Sequence, residues 1–296
     1  MLTRRALLGL MASSALTGRA GLARAAPGMA PFEVRDLRVE GHRRIGQRFS
    51  LLVPKHLPAG RRVPLLIALH GLGETGDQRM GAHAWLERYG LADAYRRLLA
   101  PPVRRITKHP YWAAGRLDEI NSMLGERPFG GLAVACPFTP NVYKAPSRKA
   151  MLDDYADWII DVVLPRARAE APVHDTVAGT GLDGCSLGGY VGIEVFLRKA
   201  AHFGAWGSVQ GALGRHRVPR YAEQLADVVA RLGPRHLHLQ TSSGDVFRDV
   251  NQQLSKLLAK RGVDHQLRVG RGPHNQPWLR DEGTLEMLLW HERVAG

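Results

Sequence analysis

The sequence predicts an α/β fold, a mostly parallel eight-stranded sheet with helices on both faces. Three observations predict it. Short runs that are apolar at nearly every position, such as "PLLIALHG" (64–71) and "LAVACPF" (132–138), mark strands buried on both faces. Segments of helical periodicity alternate with such runs over most of the chain, and that alternation builds a parallel sheet. Two strand-like segments with only a turn between them open the order. At 296 residues and 45% hydrophobic content, the chain can bury the core of one such domain.

The elements follow in order. Residues 32–41 and 48–57 read as antiparallel strands turning through 41–46, and 64–71 runs into a glycine-rich loop. Residues 84–99 have helical periodicity. Residues 100–131 are irregular, with a short helix near 112–124; the length of this connection suggests a lid or pocket wall. Strand 132–138 precedes a helix over 151–168, in which Leu152, Tyr155, Ile159 and Val162 share one face. Strands are then expected at 180–186, 203–212, 235–245 and 264–272. Helices are expected at 187–200, 218–233, 247–262 and 277–294. No internal repeat is visible, and no run of 18 apolar residues would span a membrane.

The first 25 residues differ from the rest. "MLTRRALLGLMASSALTGRAGLARA" has paired arginines (Arg4, Arg5), an apolar run, small residues and no acid. Ala23-Arg24-Ala25 fits a small-x-small cleavage site that would leave Ala26 first. The segment reads as a bacterial export signal of the twin-arginine type, whose partner is the twin-arginine export machinery. No cysteine adjoins the site, so no lipid anchor is expected, and residues 26–296 would work in the periplasm or outside the cell. The net charge is +14; the segment carries four arginines, so +10 remains on residues 26–296. The basic residues are scattered and not interleaved with aromatics, which argues against nucleic acid and leaves room for anionic substrates or envelope polymers.

The chemistry converges on "GLDGCSLGG" (181–189). Gly184-Cys185-Ser186-Leu187-Gly188 matches G-x-S-x-G between an expected strand and an expected helix. In such an elbow the serine occupies a strained turn, and glycines at both flanks remove the Cβ clash. Ser186 needs a base and the base needs an acid. His274 in "GRGPHNQPW" follows the last strand, and Asp245 in "TSSGDVFRD" follows the strand before it, so both fall at the sheet edge of Ser186. Asp249 falls inside a helix and Asp264 begins a strand at the opposite edge. His236 and His238 alternate within a strand, His265 begins one and His291 lies in the last helix; all are poorly placed. The N–H groups of Leu187, directly after the nucleophile, and of Leu72, in the loop after "LLIALHG", are the expected donors to an oxyanion. No metal or organic cofactor is required.

These motifs resemble the esterase family of α/β-hydrolases that includes S-formylglutathione hydrolases, feruloyl esterases, enterochelin esterases and mycolyltransferases. The resemblance rests on "LLIALHG", "ACPFTPN", "DYADWIIDVVLP", "GCSLGGYVGIEVFLR", "FGAWGSVQGAL", "SSGDVFRDVNQQLSKLLAKRG" and "GPHNQPWL", and covers most of the chain after about Pro64. It implies the α/β-hydrolase fold over 26–296 and acyl-ester hydrolysis by Ser186, Asp245 and His274. "GPHNQPW" departs from the Gly-x-His-Asp form more usual in the family, and 100–131 matches no family segment. In this fold the strand ending at His70 lies between those of Cys136 and Cys185, so two free thiols are expected. The leading reading is an exported serine esterase. The alternatives are an acyltransferase to an envelope glycan or lipid, and a non-catalytic binding module.

Overall fold

The computed structural model describes residues 30–295. The expected export signal at 1–25 lies outside them. Strands β1 (Phe32–Arg38) and β2 (Arg48–Pro54) pair antiparallel from Phe32 opposite Pro54 to Arg38 opposite Arg48. The remaining strands are β3 (Leu65–Leu69), β4 (Ala133–Pro137), β5 (Thr180–Gly184), β6 (Ala205–Val209), β7 (His236–Gly244) and β8 (Gln266–Pro273). Their order across the sheet is β1-β2-β4-β3-β5-β6-β7-β8. The sheet is parallel from β4 to β8 and antiparallel at β1–β2 and β2–β4. It is therefore mixed at one edge: a short turn can only reverse the chain, whereas parallel neighbours need a crossover.

Alternation along each strand divides the core in two. In β3, Leu65, Ile67 and Leu69 face one layer, while Leu66 and Ala68 face the other. The first layer is covered by residues 148–170 and by helices Leu187–Lys199, Val218–Leu232 and Arg248–Lys260; the second by Leu91–Leu99, Arg116–Glu126 and Thr284–Val294. Burial on both faces explains why these strands read as continuous apolar runs.

Three helical regions differ from the simple periodic expectation. The helix expected over 84–99 breaks into Ala84–Glu87 and Leu91–Leu99 at Gly90, which has φ 79° and sits where a Cβ would lie 2.9 Å from the Arg280 side chain. The helix over 148–170 passes through a π-helical turn, Ile159–Val163, just before Pro165. Proline has no N–H to bond the carbonyl four residues back, and the wider turn accommodates the missing bond. The closing helix holds a similar turn, Leu279–Gly283.

Residues 100–131 contain one helix, Arg116–Glu126, and pack into the second layer through Val103, Tyr111, Trp112, Ile120, Leu124 and Phe129. The Arg116 guanidinium holds Glu286 through two bonds of 2.6 and 2.7 Å. Cys136 and Cys185 are buried, unbonded and separated by β3; burial pushes the Cys136 thiol up to about 12 and raises that of Cys185. Among the described residues no helix is long and apolar enough to cross a membrane.

The core around β6 gives a direct stability test. Phe196 is fully buried, with its ring 6.2 Å from Trp206 and 6.4 Å from Phe203. Phe196→Ala should lower unfolding free energy by about 3–5 kcal/mol, read from urea denaturation monitored by circular dichroism.

Candidate active site

Each strand of the parallel part delivers a chemical group where it ends. β5 ends at Gly184 and Ser186 follows; β7 ends at Gly244 and Asp245 follows; β8 ends at Pro273 and His274 follows; β3 ends at Leu69 and the His70–Leu72 loop follows. Parallel strands place these four ends at one edge of the sheet.

Ser186 has φ 55° and ψ −116°, a conformation that costs a non-glycine residue energy. Hydrogen bonds hold it there. Its N–H donates to the Val209 carbonyl at 3.0 Å, and its carbonyl accepts from the Ala212 N–H at 2.9 Å. The neighbouring Cys185 N–H donates to the Leu69 carbonyl at 3.1 Å. The flanking glycines are sterically required: a Cβ on Gly184 would overlap the Gly188 carbonyl, and one on Gly188 would overlap the Leu69 carbonyl. A Cβ on Gly189 would sit 2.6 Å from the Ser208 Oγ and 2.8 Å from the Gly211 Cα, so this third glycine seats the helix against the end of β6.

The Asp245 side chain is fully buried and accepts three hydrogen bonds. They come from the Thr241 hydroxyl at 2.6 Å, the Phe247 N–H at 3.0 Å and the His274 Nδ1 at 2.9 Å. A carboxylate only accepts, so Nδ1 carries the His274 proton and Nε2 is left with a lone pair. The Phe247 ring packs edge-on against the imidazole at 5.2 Å. Ser186 and His274 line the same cavity, of about 300 Å³. Leu72 and Leu279 supply its apolar wall; Glu74, Gln210 and Gln276 supply polar groups. Larger depressions lie away from Ser186: two, of about 580 and 520 Å³, beside the β1–β2 turn, and one of about 510 Å³ along helix Val218–Leu232.

Leu72 opens the helical turn Leu72–Glu74, and Leu187 opens the helix directly after Ser186. The first N–H groups of a helix have no partner within it, which leaves both N–H groups without an intrahelical bond. The loop before Leu72 is clamped from two sides. The Gly71 N–H donates to the Tyr89 hydroxyl at 3.2 Å, and that hydroxyl donates to the Glu74 carboxylate. The His70 Nε2 accepts from the Thr139 N–H at 2.8 Å, which leaves Nδ1 to donate to the Gly71 carbonyl at 2.8 Å. Burial pushes His70 down to about 4, so the ring is neutral around pH 7.

The poorly placed acids and bases are elsewhere in the fold. Asp249 is exposed and pairs with Arg248, and Asp264 is exposed ahead of β8. His236 is exposed at the start of β7, while His238 is buried and stacks on Trp290. His265 bonds Ser255 at 2.7 Å, and His291 bonds the buried Asp183 at 2.9 Å. None of them lines the cavity.

Three contributors carried no sequence signal. Thr241 sits in mid-strand, and Tyr89 is a helix-flanking aromatic. Gln210, with φ 48°, uses its amide nitrogen to hold the Ser242 Oγ at 2.7 Å and the Pro273 carbonyl at 3.2 Å. Ser242 in turn donates to the Gly272 carbonyl at 2.7 Å, so the two residues before His274 are tied to β6 and β7. Among the described residues no cluster of His, Cys, Asp and Glu could hold a metal.

The sheet order, the elbow and the sequence of loops define an α/β-hydrolase fold, and comparisons with known proteins agree. A ferulic acid esterase superposes with a TM-score of 0.65 at 16% identity, covering 89% of this chain and 99% of its own. The S-formylglutathione hydrolase FrmB from Staphylococcus aureus superposes with a TM-score of 0.60 at 16% identity, covering 89% and 99%. The enterobactin esterase FES from Shigella flexneri gives 0.55 at 15% identity, covering 90% of this chain and 60% of its own. No protein-family model and no curated protein matches the chain.

The His70 clamp predicts a pH dependence. Its pKa is lower folded than unfolded, so between about pH 6.5 and 4 the unfolded chain binds a proton that the folded chain does not. The stability it contributes is present above that window and is lost as pH falls through it, by up to roughly 3 kcal/mol. His70→Gln should flatten this part of the stability–pH curve, measured by denaturant midpoints at closely spaced pH values.

Proposed function

We propose that the protein is an exported serine esterase that hydrolyses carboxylic esters through an acyl-enzyme on Ser186. The observation that carries the reading is the Asp245–His274 hydrogen bond of 2.9 Å, with His274 facing the cavity that also exposes Ser186. The esterase and hydrolase names of the structural neighbours support ester chemistry, and the paired arginines and small-x-small site of residues 1–25 support export.

The His274 Nε2 takes the proton of the Ser186 hydroxyl as its oxygen attacks the ester carbonyl carbon. Asp245 holds the ring tautomer and stabilises the imidazolium that forms. Charge develops on the carbonyl oxygen, where the N–H groups of Leu72 and Leu187 receive it. The tetrahedral intermediate collapses, the C–O bond to the alcohol breaks, and His274 gives its proton to the departing oxygen. Water then enters, loses a proton to His274 and attacks the acyl carbon. Collapse of the second intermediate returns that proton to Ser186 and releases the carboxylic acid.

Hydrolysis of p-nitrophenyl acetate and butyrate tests the reading. Ser186→Ala should lower kcat by roughly a thousandfold or more; unchanged turnover would refute Ser186 as the nucleophile. Thr241→Val removes one bond to Asp245 and should lower kcat by up to about tenfold with little change in KM. Edman sequencing of the protein recovered from a periplasmic fraction should begin at Ala26; an N-terminus within residues 1–25 would contradict the proposed processing.

A further inference from the structure

Glu74 is the one carboxylate among the described residues lining the cavity beside Ser186, and the hydrolytic mechanism gives it no part. Only 3% of it is exposed. One oxygen, Oε2, accepts from the Tyr89 hydroxyl. The other, Oε1, meets the Gln276 amide at 3.4 Å, the long limit of a hydrogen bond, and the Arg88 guanidinium at 4.0 Å. The Arg88 side chain is 44% exposed, so it neutralises the carboxylate only in part. A carboxylate has about four acceptor sites, and an acceptor with spare capacity on a cavity wall takes a donor from whatever fills the cavity.

The chemistry of the two product halves assigns the side. His274 protonates the departing alcohol, and its side chain is 27% exposed; the Leu72 part of the cavity wall is more exposed still, at 49%. The alcohol therefore leaves at the open end. The acyl part stays on Ser186 and occupies the closed end, where Glu74 and Tyr89 are each 3% exposed and Leu279 is 6% exposed. A cavity of about 300 Å³ with this lining suits a short acyl chain that carries a polar donor. An unsubstituted chain would bury the carboxylate against hydrocarbon with its acceptor unfilled, which is unfavourable. An acyl chain ending in its own carboxylate would be repelled.

We propose that Glu74, with Gln276 beside it, is a specificity-determining residue that selects esters of short hydroxy acids, accepting a hydrogen bond from the acyl hydroxyl. This rests on the esterase reading above. Glu74 also touches the oxyanion loop through Tyr89 and Gly71, so a purely structural role must be separable from recognition. The ratio of two substrates separates them: a loosened loop slows both alike, whereas a lost acceptor slows only the one that donates.

The experiment compares kcat/KM for p-nitrophenyl 2-hydroxybutyrate, 3-hydroxybutyrate and butyrate, which share a leaving group. At least one hydroxy ester should be preferred by roughly ten- to a hundredfold, with the ratio falling to about one in Glu74→Ala and to an intermediate value in Glu74→Gln. A ratio near one for both hydroxy esters, with Ser186-dependent hydrolysis of butyrate intact, overturns the proposal and leaves the esterase reading standing. A preference that survives in Glu74→Ala also overturns it. If no ester is turned over, the esterase reading fails. Calorimetric titration of Ser186→Ala with the ethyl esters of the same acids reads recognition without turnover, and equal affinities overturn the proposal.

Discussion

A serine held at φ 55° organises this protein. That backbone costs about 1–3 kcal/mol wherever it occurs in a non-glycine residue, and here bonds to Val209 and Ala212 on one side and the neighbouring bond to Leu69 on the other offset it. Those bonds exist only because β3, β5 and β6 are adjacent and parallel. The same geometry crowds the backbone so closely that Gly184, Gly188 and Gly189 have no room for a Cβ. The strain, the glycines and the sheet order are one constraint.

Two chains of hydrogen bonds hold the loops around the cavity that Ser186 lines. One chain of hydrogen bonds runs from Thr241 through Asp245 to His274, and Gln210 with Ser242 holds the two residues before it. A second runs from Thr139 through His70 to Gly71, and from Gly71 through Tyr89 to Glu74. The first holds the His274 ring and the second holds the loop that bears Leu72. Most members of both chains are buried, which strengthens each bond and limits their movement. Glu74 belongs to both worlds, as the end of the second chain and as part of the cavity wall.

The strands were legible because burial on both faces leaves an unbroken apolar run, as in "PLLIALHG", and because helices intervene between them. Ser186, Asp245 and His274 were legible because each follows a strand end, and parallel strands share an edge. The glycines of the elbow were legible because their reason is local sterics. Tyr89, Thr241 and Gln210 were not, since ordinary residue types take their roles from partners in other elements. Residues 84–99 read as one helix; Gly90 interrupts it with a left-handed backbone, at a place where a Cβ would meet Arg280, far along the chain. Residues 100–131 read as irregular because the groups that order them, Glu286, Asp281 and Arg271, lie more than 150 residues away.

The central claim is that the strained turn presents Ser186, rather than the adjacent Cys185 thiol, as the activated nucleophile. Labelling with a fluorophosphonate followed by tandem mass spectrometry of the tryptic peptides tests it most directly. The account predicts a single stoichiometric adduct on Ser186 that is lost when His274 is replaced by alanine. Absence of an adduct, or an adduct on Cys185 or on another serine, would contradict it.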